Sequence, residues 1–344
     1  MEKHVLEKGI NLGGWLSQYR IYDHSHFKTF IQKKDIRRIA AWGFDHVRLP
    51  VDYPLFEDDR KPGEYLQSGF AYVQKCIDWC RRSGLRIILD LHKAPGYAFD
   101  DQQSNRLEND RDLQDRFVEL WLALAKEFKS ADQDVLAFEL LNEINFQSSK
   151  KWNGMVEKTL RGMRAMDPER LIVVGGNCFN SVDYLSEIQI LPDAQILYAF
   201  HFYLPHSVTH QKAYWFEGLD VFDSPVDYPG VAVGLKSFLK DHPQYQDRLG
   251  EDVDVHFDRS YLEKRIEPAL HFLMATRRAL YCGEFGVIDR APMGTRENWT
   301  RDVVSILKDH YIGYAYWTYK MLDFGLVNEA GEIINQKLID ILVG

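Results

Sequence analysis

Cysteine is scarce in this sequence, and its few occurrences follow no pattern of paired or clustered ligands. Cys76 and Cys80 share one face of a predicted helix, Cys178 is isolated, and Cys282 lies in a predicted strand. This spacing disfavours a disulfide framework and a Cys/His metal site. We therefore expect reduced core thiols, which agree with a cytoplasmic location, and we expect no metal ion and no cofactor.

The chain also has no excess of positive charge and no long hydrophobic run. Lys and Arg number 42 against 51 for Asp and Glu, so the formal net charge is −9 at pH 7. A nucleic-acid partner would need a basic surface, and a membrane helix would need about 20 consecutive apolar residues, so we expect neither. Residues 1–7 do not resemble a signal peptide, so the protein either stays in the cytoplasm or has lost a leader. No protein partner is indicated.

A glycine-rich phosphate turn, internal repeats and low-complexity linkers are missing as well, which disfavours an open doubly wound sheet. Instead, short strand-like runs alternate with helical patterns eight times. Strands are predicted at 9–12, 46–49, 86–91, 135–141, 171–175, 196–201, 280–283 and 313–317. Helices are predicted near 28–42, 69–83, 111–129, 149–166, 181–189, 259–278, 296–309 and 333–343. This alternation predicts an α/β fold, a closed (β/α)8 TIM barrel, as a single domain over residues 1–344.

One interval, from about residue 202 to 258, breaks the alternation. It follows the sixth predicted strand and is rich in aromatic and acidic residues. A loop of this length inside a compact domain is usually functional, and in a barrel it would overhang the face that carries the site. We predict that it forms a lid over one end of the cleft. The alternative is that it only caps the barrel.

Two glutamates stand where apolar strands end: Glu143 follows the run at 135–141, and Glu284 follows the run at 280–283. A buried ionised group is costly unless a partner compensates it. Two such groups at the C-terminal ends of different strands suggest an acid and a nucleophile. One carboxylic acid would protonate a leaving oxygen, and the second carboxylate would attack an anomeric carbon or activate water, which is the chemistry of glycoside hydrolysis.

Further polar or aromatic side chains recur at the same strand ends, where strands that only pack would carry apolar residues. They are Arg48, His92, Asn142, His201, Tyr203 and Trp317. Amide, imidazole and phenol groups could bind sugar hydroxyls or orient a carboxylate, and an indole could stack on a pyranose ring. An arginine beside the nucleophile would keep it ionised, and a tyrosine there could tune its charge. Each of these residues, taken alone, also has a purely structural explanation.

Strand alternation places two more acids, Asp90 and Glu139, one layer below these positions, with Arg48 and His46 as available partners. The same alternation puts Cys282 on the face of its strand that carries the site. We expect the two acids to support the site from below. A plain structural ion network is the alternative.

The chain resembles glycoside hydrolase family 5, the cellulase-like clan of (β/α)8 retaining β-glycosidases. The matching stretches are residues 9–15 (GINLGGW), 48–50 (RLP), 89–92 (LDLH), 141–143 (LNE), 201–203 (HFY), 283–286 (GEFG) and Trp317. The resemblance implies that Glu143 is the acid/base and Glu284 the nucleophile. It also implies that the six strand-end residues named above bind substrate. The family usually has proline after the acid/base, whereas Ile144 stands there in this chain.

The predicted function is thus metal-independent, retaining hydrolysis of a β-linked oligo- or polysaccharide, with β-1,4-glucanase as the default type. An exo-acting β-glucosidase or β-mannosidase on short oligosaccharides is the alternative. A non-catalytic sugar-binding barrel would keep the aromatic residues but lose one of the two carboxylates. A metal-dependent barrel hydrolase would need a third convincing ligand beside His92 and His201, and its activity would not survive chelation.

Overall fold

The computed structural model describes residues 6–344, so the first five residues of the N-terminal stretch considered above lie outside the described part. Eight parallel strands form a closed barrel. They are β1 Lys8–Asn11, β2 His46–Asp52, β3 Arg86–Ala94, β4 Leu136–Glu139, β5 Ile172–Gly175, β6 Ile196–Phe202, β7 Leu280–Phe285 and β8 Gly313–Tyr316. They pair in the order β2-β1-β8-β7-β6-β5-β4-β3, and pairing between β2 and β3 closes the ring. The predicted (β/α)8 barrel is confirmed.

Amphipathic helices cover the outside of the barrel. The main ones are α1 Lys33–Trp42, α2 Gln67–Arg82, α3 Arg111–Glu127, α4 Ser149–Met166, α5 Arg259–Thr276, α6 Met293–Asp309 and α7 Gln336–Val343. In α2 the apolar residues recur at helical spacing and are buried, including Cys76 and Cys80 with free thiols. The helix predicted near 181–189 is instead a short 3₁₀ helix, Val182–Glu187. No helix within residues 6–344 has the length and apolar character needed to cross a bilayer.

Alternation along the strands sorts side chains into an outer core under the helices and a small apolar cluster inside the barrel. Strand β7 departs from this alternation. Its register shifts between Cys282 and Glu284 against β6, with a matching irregularity against β8, so Gly283 lies in a bulge. Cys282 packs in the outer core, whereas Glu284 bonds to Arg48 inside the barrel. The prediction that Cys282 shares the face of Glu284 was therefore wrong, because a bulge re-aims the residue that follows it.

The segment between β6 and α5 is folded. It contains the short helices His206–Thr209, Leu235–Asp241 and Gln246–Leu249, and a two-stranded pairing of Gly230–Val231 with His256–Phe257. Apolar residues along it are buried in the main core, among them Leu219, Phe222, Val226, Leu235 and Leu249. Much of this segment, which we call the β6 insertion (residues 203–258), therefore packs as part of the barrel wall.

Candidate active site

Arg48 on β2 stands at the centre of the site and has no exposed surface. Its five N–H groups are all used. Nε and Nη2 donate to the two carboxylate oxygens of Glu139 at 2.7 and 2.9 Å, and Nη1 donates to Glu284 at 2.7 Å. The remaining donors reach the side-chain oxygens of Asn11 and Asn142. A buried guanidinium with every donor satisfied is a rigid reference point for the groups around it.

The two predicted catalytic glutamates face each other above this arginine. A carboxylate oxygen of Glu143 and one of Glu284 lie within 4.8 Å of each other, with His201 Nδ1 in the same group. His201 Nδ1 is 2.9 Å from Glu143 Oε1 and 3.7 Å from Glu284 Oε2. Carboxyl groups about 5–5.5 Å apart are typical of retaining glycosidases, whereas inverting enzymes leave about 6.5–9.5 Å for a water.

Backbone geometry fixes the position of Glu143, which lies beyond the end of β4. Its φ is 45°, in the left-handed region, and its carbonyl accepts a hydrogen bond of 2.6 Å from the Tyr97 hydroxyl. The same hydroxyl accepts from the Asn145 N–H at 2.8 Å. Ile144, which stands where the family usually has proline, is buried in the core. Tyr97 and the burial of Ile144 therefore hold the acid-bearing turn.

The pKa values of both glutamates are raised, chiefly because burial penalises the charged form. Burial raises the pKa of Glu143 to about 8, with Arg48 opposing the shift. Burial raises the pKa of Glu284 to about 7, with His201 and Arg48 opposing it. Arg48 does lower the pKa of Glu284, as expected, but desolvation outweighs the attraction of the guanidinium, so the pKa lies above its usual value.

The remaining predicted residues surround the glutamates. Tyr203 donates its hydroxyl proton to Glu284 Oε2 at 3.0 Å. The ring of Trp317 stacks on His92 with centroids 5.7 Å apart and planes 4° apart. His92 Nδ1 in turn lies 2.6 Å from Asp90. Asn142 Nδ2 is buried without a hydrogen-bond partner among the described residues, so it is available to a ligand.

All eight predicted site residues thus lie together at the C-terminal ends of the strands, but one predicted supporting contact was wrong. Glu139 and Asp90 bond or pair with Arg48, as expected. His46 instead contacts Asp45 and the Tyr281 hydroxyl, because it lies one inward-facing position earlier on β2, nearer the N-terminal end of the barrel.

Sequence reasoning missed three residues that touch this group. Asn11 at the end of β1 accepts from Arg48 and donates to the Gly283 carbonyl at 3.0 Å. Tyr97 holds the turn of Glu143, and Asn180 lies against His201. Asn11 follows the same strand-end rule that found the others and could have been found by it. Tyr97 and Asn180 lie beyond the barrel strands, where strand position gives no signal.

Glu143, His201 and Glu284 form the one cluster of potential metal ligands found within residues 6–344. Both oxygens of Glu284 already accept hydrogen bonds, one from Arg48 and one from Tyr203. The contact between His201 and Glu143 has ordinary hydrogen-bond length. We therefore assign the cluster to carboxylate chemistry.

A TIM barrel with two carboxyl groups facing each other among polar side chains at the C-terminal ends of its strands is the arrangement of a glycoside hydrolase. The sequence matches the model of the cellulase family, glycosyl hydrolase family 5, over residues 7–322. It is 42% identical to Endoglucanase C of Acetivibrio thermocellus over 97% of both chains. It is 32% identical to Cellodextrinase A of Ruminococcus flavefaciens, over 89% of this chain and 83% of that protein. The chain belongs to glycosyl hydrolase family 5.

The fold agrees with this family. The solved structure of endoglucanase Cel5A from Thermotoga maritima superposes with a TM-score of 0.79 at 23% identity, covering 99% of this chain and 98% of that one.

Proposed function

We propose that this enzyme hydrolyses β-1,4-glucan chains by double displacement, with Glu284 as the nucleophile and Glu143 as the acid/base. The observation that carries the proposal is the pair of facing carboxyl groups, close enough for a covalent intermediate and with the higher pKa on Glu143. The relatives described above are named endoglucanase and cellodextrinase, which supports a β-1,4-glucan as substrate. We further propose that residues 1–344 act as one catalytic domain.

In the first step Glu284 attacks the anomeric carbon while Glu143 protonates the departing oxygen. Arg48 and Tyr203 each donate to one oxygen of Glu284, so the nucleophile is oriented before the sugar arrives. In the second step Glu143, now ionised, takes a proton from water, and that water releases the glycosyl group from Glu284. His201 stays within hydrogen-bond reach of Glu143, where it can stabilise the ionised state.

Three further residues receive substrate-binding roles in this proposal. The unpartnered amide N–H of Asn142 binds a sugar hydroxyl near the reacting carbon. Trp317 presents one ring face to the sugar on the non-reducing side of the scissile bond, because its other face is covered by His92. Asp90 contacts Nδ1 of His92 and so fixes the imidazole ring on which Trp317 stacks.

The test separates the two glutamates by their chemistry. Glu284→Gln should abolish turnover of every substrate. Glu143→Ala should lose about 10²–10⁴-fold on cellooligosaccharides but retain glycosylation by 2,4-dinitrophenyl β-cellobioside, whose leaving group needs no proton. Added azide should then accelerate that variant and yield β-cellobiosyl azide, as measured by product chromatography and NMR.

The matched control is Glu119→Ala, which removes an exposed glutamate on α3 and should leave both activities unchanged. If azide also rescues a Glu284→Ala variant, these roles require that the product is the α-azide; rescue of Glu284→Ala without rescue of Glu143→Ala would contradict them. If the Glu143→Ala variant instead yields the α-azide, the two roles are reversed.

A preference for short chains is the second part of the proposal, and the β6 insertion favours it. Tyr214 and Trp215 on this insertion are 74% and 45% exposed. Trp215 contacts His210, and His210 contacts Tyr203 beside the nucleophile, with ring centroids 6.2 and 5.2 Å apart. The insertion therefore reaches from the reacting centre to an exposed aromatic edge, which suits a lid over one end of the cleft. Free thiols are compatible with a reducing compartment, and a cytoplasmic location is part of this proposal.

A further inference from the structure

Asn180 reaches the site through the outer ring nitrogen of His201. Its side chain is fully buried, and Nδ2 lies 3.4 Å from His201 Nε2. The next residue, Ser181, pairs with His201 in an isolated parallel bridge, which fixes the distance between the two backbones. The opposite ring nitrogen of the same histidine faces Glu143 at 2.9 Å. A chain of contacts thus runs from Asn180 through His201 to Glu143.

The backbone around Asn180 is specialised for this contact. Cys178, Phe179 and Asn180 have φ values of 52°, 60° and 55°, a left-handed conformation that is unfavourable for most non-glycine residues. On β5, a Cβ atom at Gly175 would lie 2.4 Å from Asn180 Oδ1, so only glycine leaves room for the amide. Local strain and a glycine at the strand end are both accounted for by the placement of one amide against His201.

We propose that Asn180 is a positioning residue that sets the tautomer of His201 and, through it, the proton affinity of Glu143. The inference rests on the role of Glu143 proposed above. Nδ2 of the amide faces Nε2, and an amide nitrogen can only donate, so in this proposal His201 Nε2 is the acceptor and the ring proton resides on Nδ1. Burial lowers the pKa of His201 to about 4, which keeps the ring neutral with a single proton to place. The Nδ1–H then donates to Glu143 and stabilises its ionised state, the base needed in the second step.

Other charges also face His201 and Glu143, and they would be the same in each variant described next. They are Arg48 on β2, Asp90 and His92 on β3, Asp100 after β3, Glu139 on β4 and Glu284 on β7. A change in the pH profile of the uncharged variant, Asn180→Gly, would therefore report on the amide, whereas Asn180→Asp adds one charge of its own.

Two substitutions should move the alkaline limb of kcat/KM in opposite directions. Asn180→Gly removes the amide and suits the positive φ, so the fold should be retained. The Nδ1–H is then no longer enforced, Glu143 loses a donor to its ionised form, and the alkaline limb should rise by about half to one pH unit. Asn180→Asp accepts from Nε2–H and favours the imidazolium beside Glu143, so the limb should fall.

Nitrogen-15 NMR of His201, assigned by comparison with His201→Gln, reads the tautomer directly. The parent enzyme should show a protonated Nδ1 and a bare Nε2, and Asn180→Gly should show a mixture. Asn153→Ala is the matched control, because that amide on α4 makes two hydrogen bonds to backbone, with Glu187 and Gln189, and none to a residue of the site. It should alter neither readout.

An unchanged alkaline limb in a folded Asn180→Gly enzyme, or a protonated Nε2 in the parent enzyme, would overturn the inference. Failure of the proposed function looks different: the alkaline limb of the parent enzyme would then persist in Glu143→Ala.

Discussion

At the scale of single residues, Glu143 and Glu284 differ in what surrounds them, and this difference decides which one carries the proton near neutral pH. Glu284 accepts from Arg48 and Tyr203, whereas Glu143 has His201 as its side-chain donor. Both are desolvated, so both pKa values rise, but the one with more donors to its charged form rises less. Because the two carboxyl groups are close, they titrate as a coupled pair.

A bell-shaped pH profile of kcat/KM follows. In the proposed mechanism activity requires ionised Glu284, so it should rise as the pH increases through about 7. The same mechanism requires protonated Glu143, so activity should fall as the pH increases through about 8. Initial rates on cellotriose between pH 5 and 10 would measure both limbs. In Glu143→Ala, assayed with an activated aryl cellobioside, the alkaline limb should disappear; a limb that remains would contradict the assignment of the acid/base.

Trp317 is the residue whose sugar-binding role competes most directly with a packing role, because its side chain is only 6% exposed. If it forms the floor under a sugar, Trp317→Ala should cost about 1.5–3 kcal/mol of transition-state binding, roughly 10- to 100-fold in kcat/KM. Trp317→Phe keeps an aromatic face and should lose less. Kinetics and thermal unfolding, measured on the same variants, separate the two roles. A large drop in melting temperature without a specific catalytic loss would favour the packing role.

At the scale of secondary-structure elements, the β6 insertion combines a packed interior with an exposed edge. Tyr228 donates to Asp302 on α6 at 2.8 Å, and Gln211 bonds to the Val226 backbone, so the interior belongs to the barrel wall. At the edge, Tyr214 lies under the Arg290 guanidinium, which pairs with Asp323 at 2.9 Å. The loops after β6, β7 and β8 therefore meet at the exposed aromatic pair.

The lid can be tested at this edge without disturbing the packed interior. Tyr214→Ser with Trp215→Ser removes stacking faces and opens the cleft, so the ratio of rates on carboxymethylcellulose and cellotriose should rise several-fold. Tyr311→Ser is the control: Tyr311 is 97% exposed but precedes β8, at the opposite end of the barrel. An unchanged ratio in a folded double variant would mean that the insertion only packs.

The sequence predicted the positions of most strands and helices. It predicted the direction of a side chain only where the strand is regular. The strand and helix periods predicted most bounds within a few residues, because buried strands and amphipathic helices leave distinct patterns. The bulge at Gly283 leaves no such pattern, and it reversed the face assigned to Cys282. The left-handed turn at residues 178–180 was likewise invisible, since none of its members is glycine.

At the scale of the whole molecule, the barrel explains why residues so far apart along the chain could be grouped correctly from their sequence positions alone. Parallel strands in a closed barrel deliver their C-terminal ends to one face, so strand ends from Arg48 to Trp317 had to meet there. The position of a residue at a strand end did not, however, predict which other side chains it contacts. The misassigned partner of His46 and the unforeseen roles of Tyr97 and Asn180 depend on distances that only the packed chain defines.

The placement of Arg48 also bears on how such an enzyme can change over evolutionary time. Its hydrogen bonds join β1, β4, the turn after β4, and β7, so one side chain serves both the closure of the ring and the reaction. A substitution of Arg48 would therefore disturb both the contacts between the strands and the reaction. The exposed edges of the loops, such as Tyr214 and Trp215, contact neither Arg48 nor the two glutamates, so new substrate preferences can be acquired there while the chemistry stays constant.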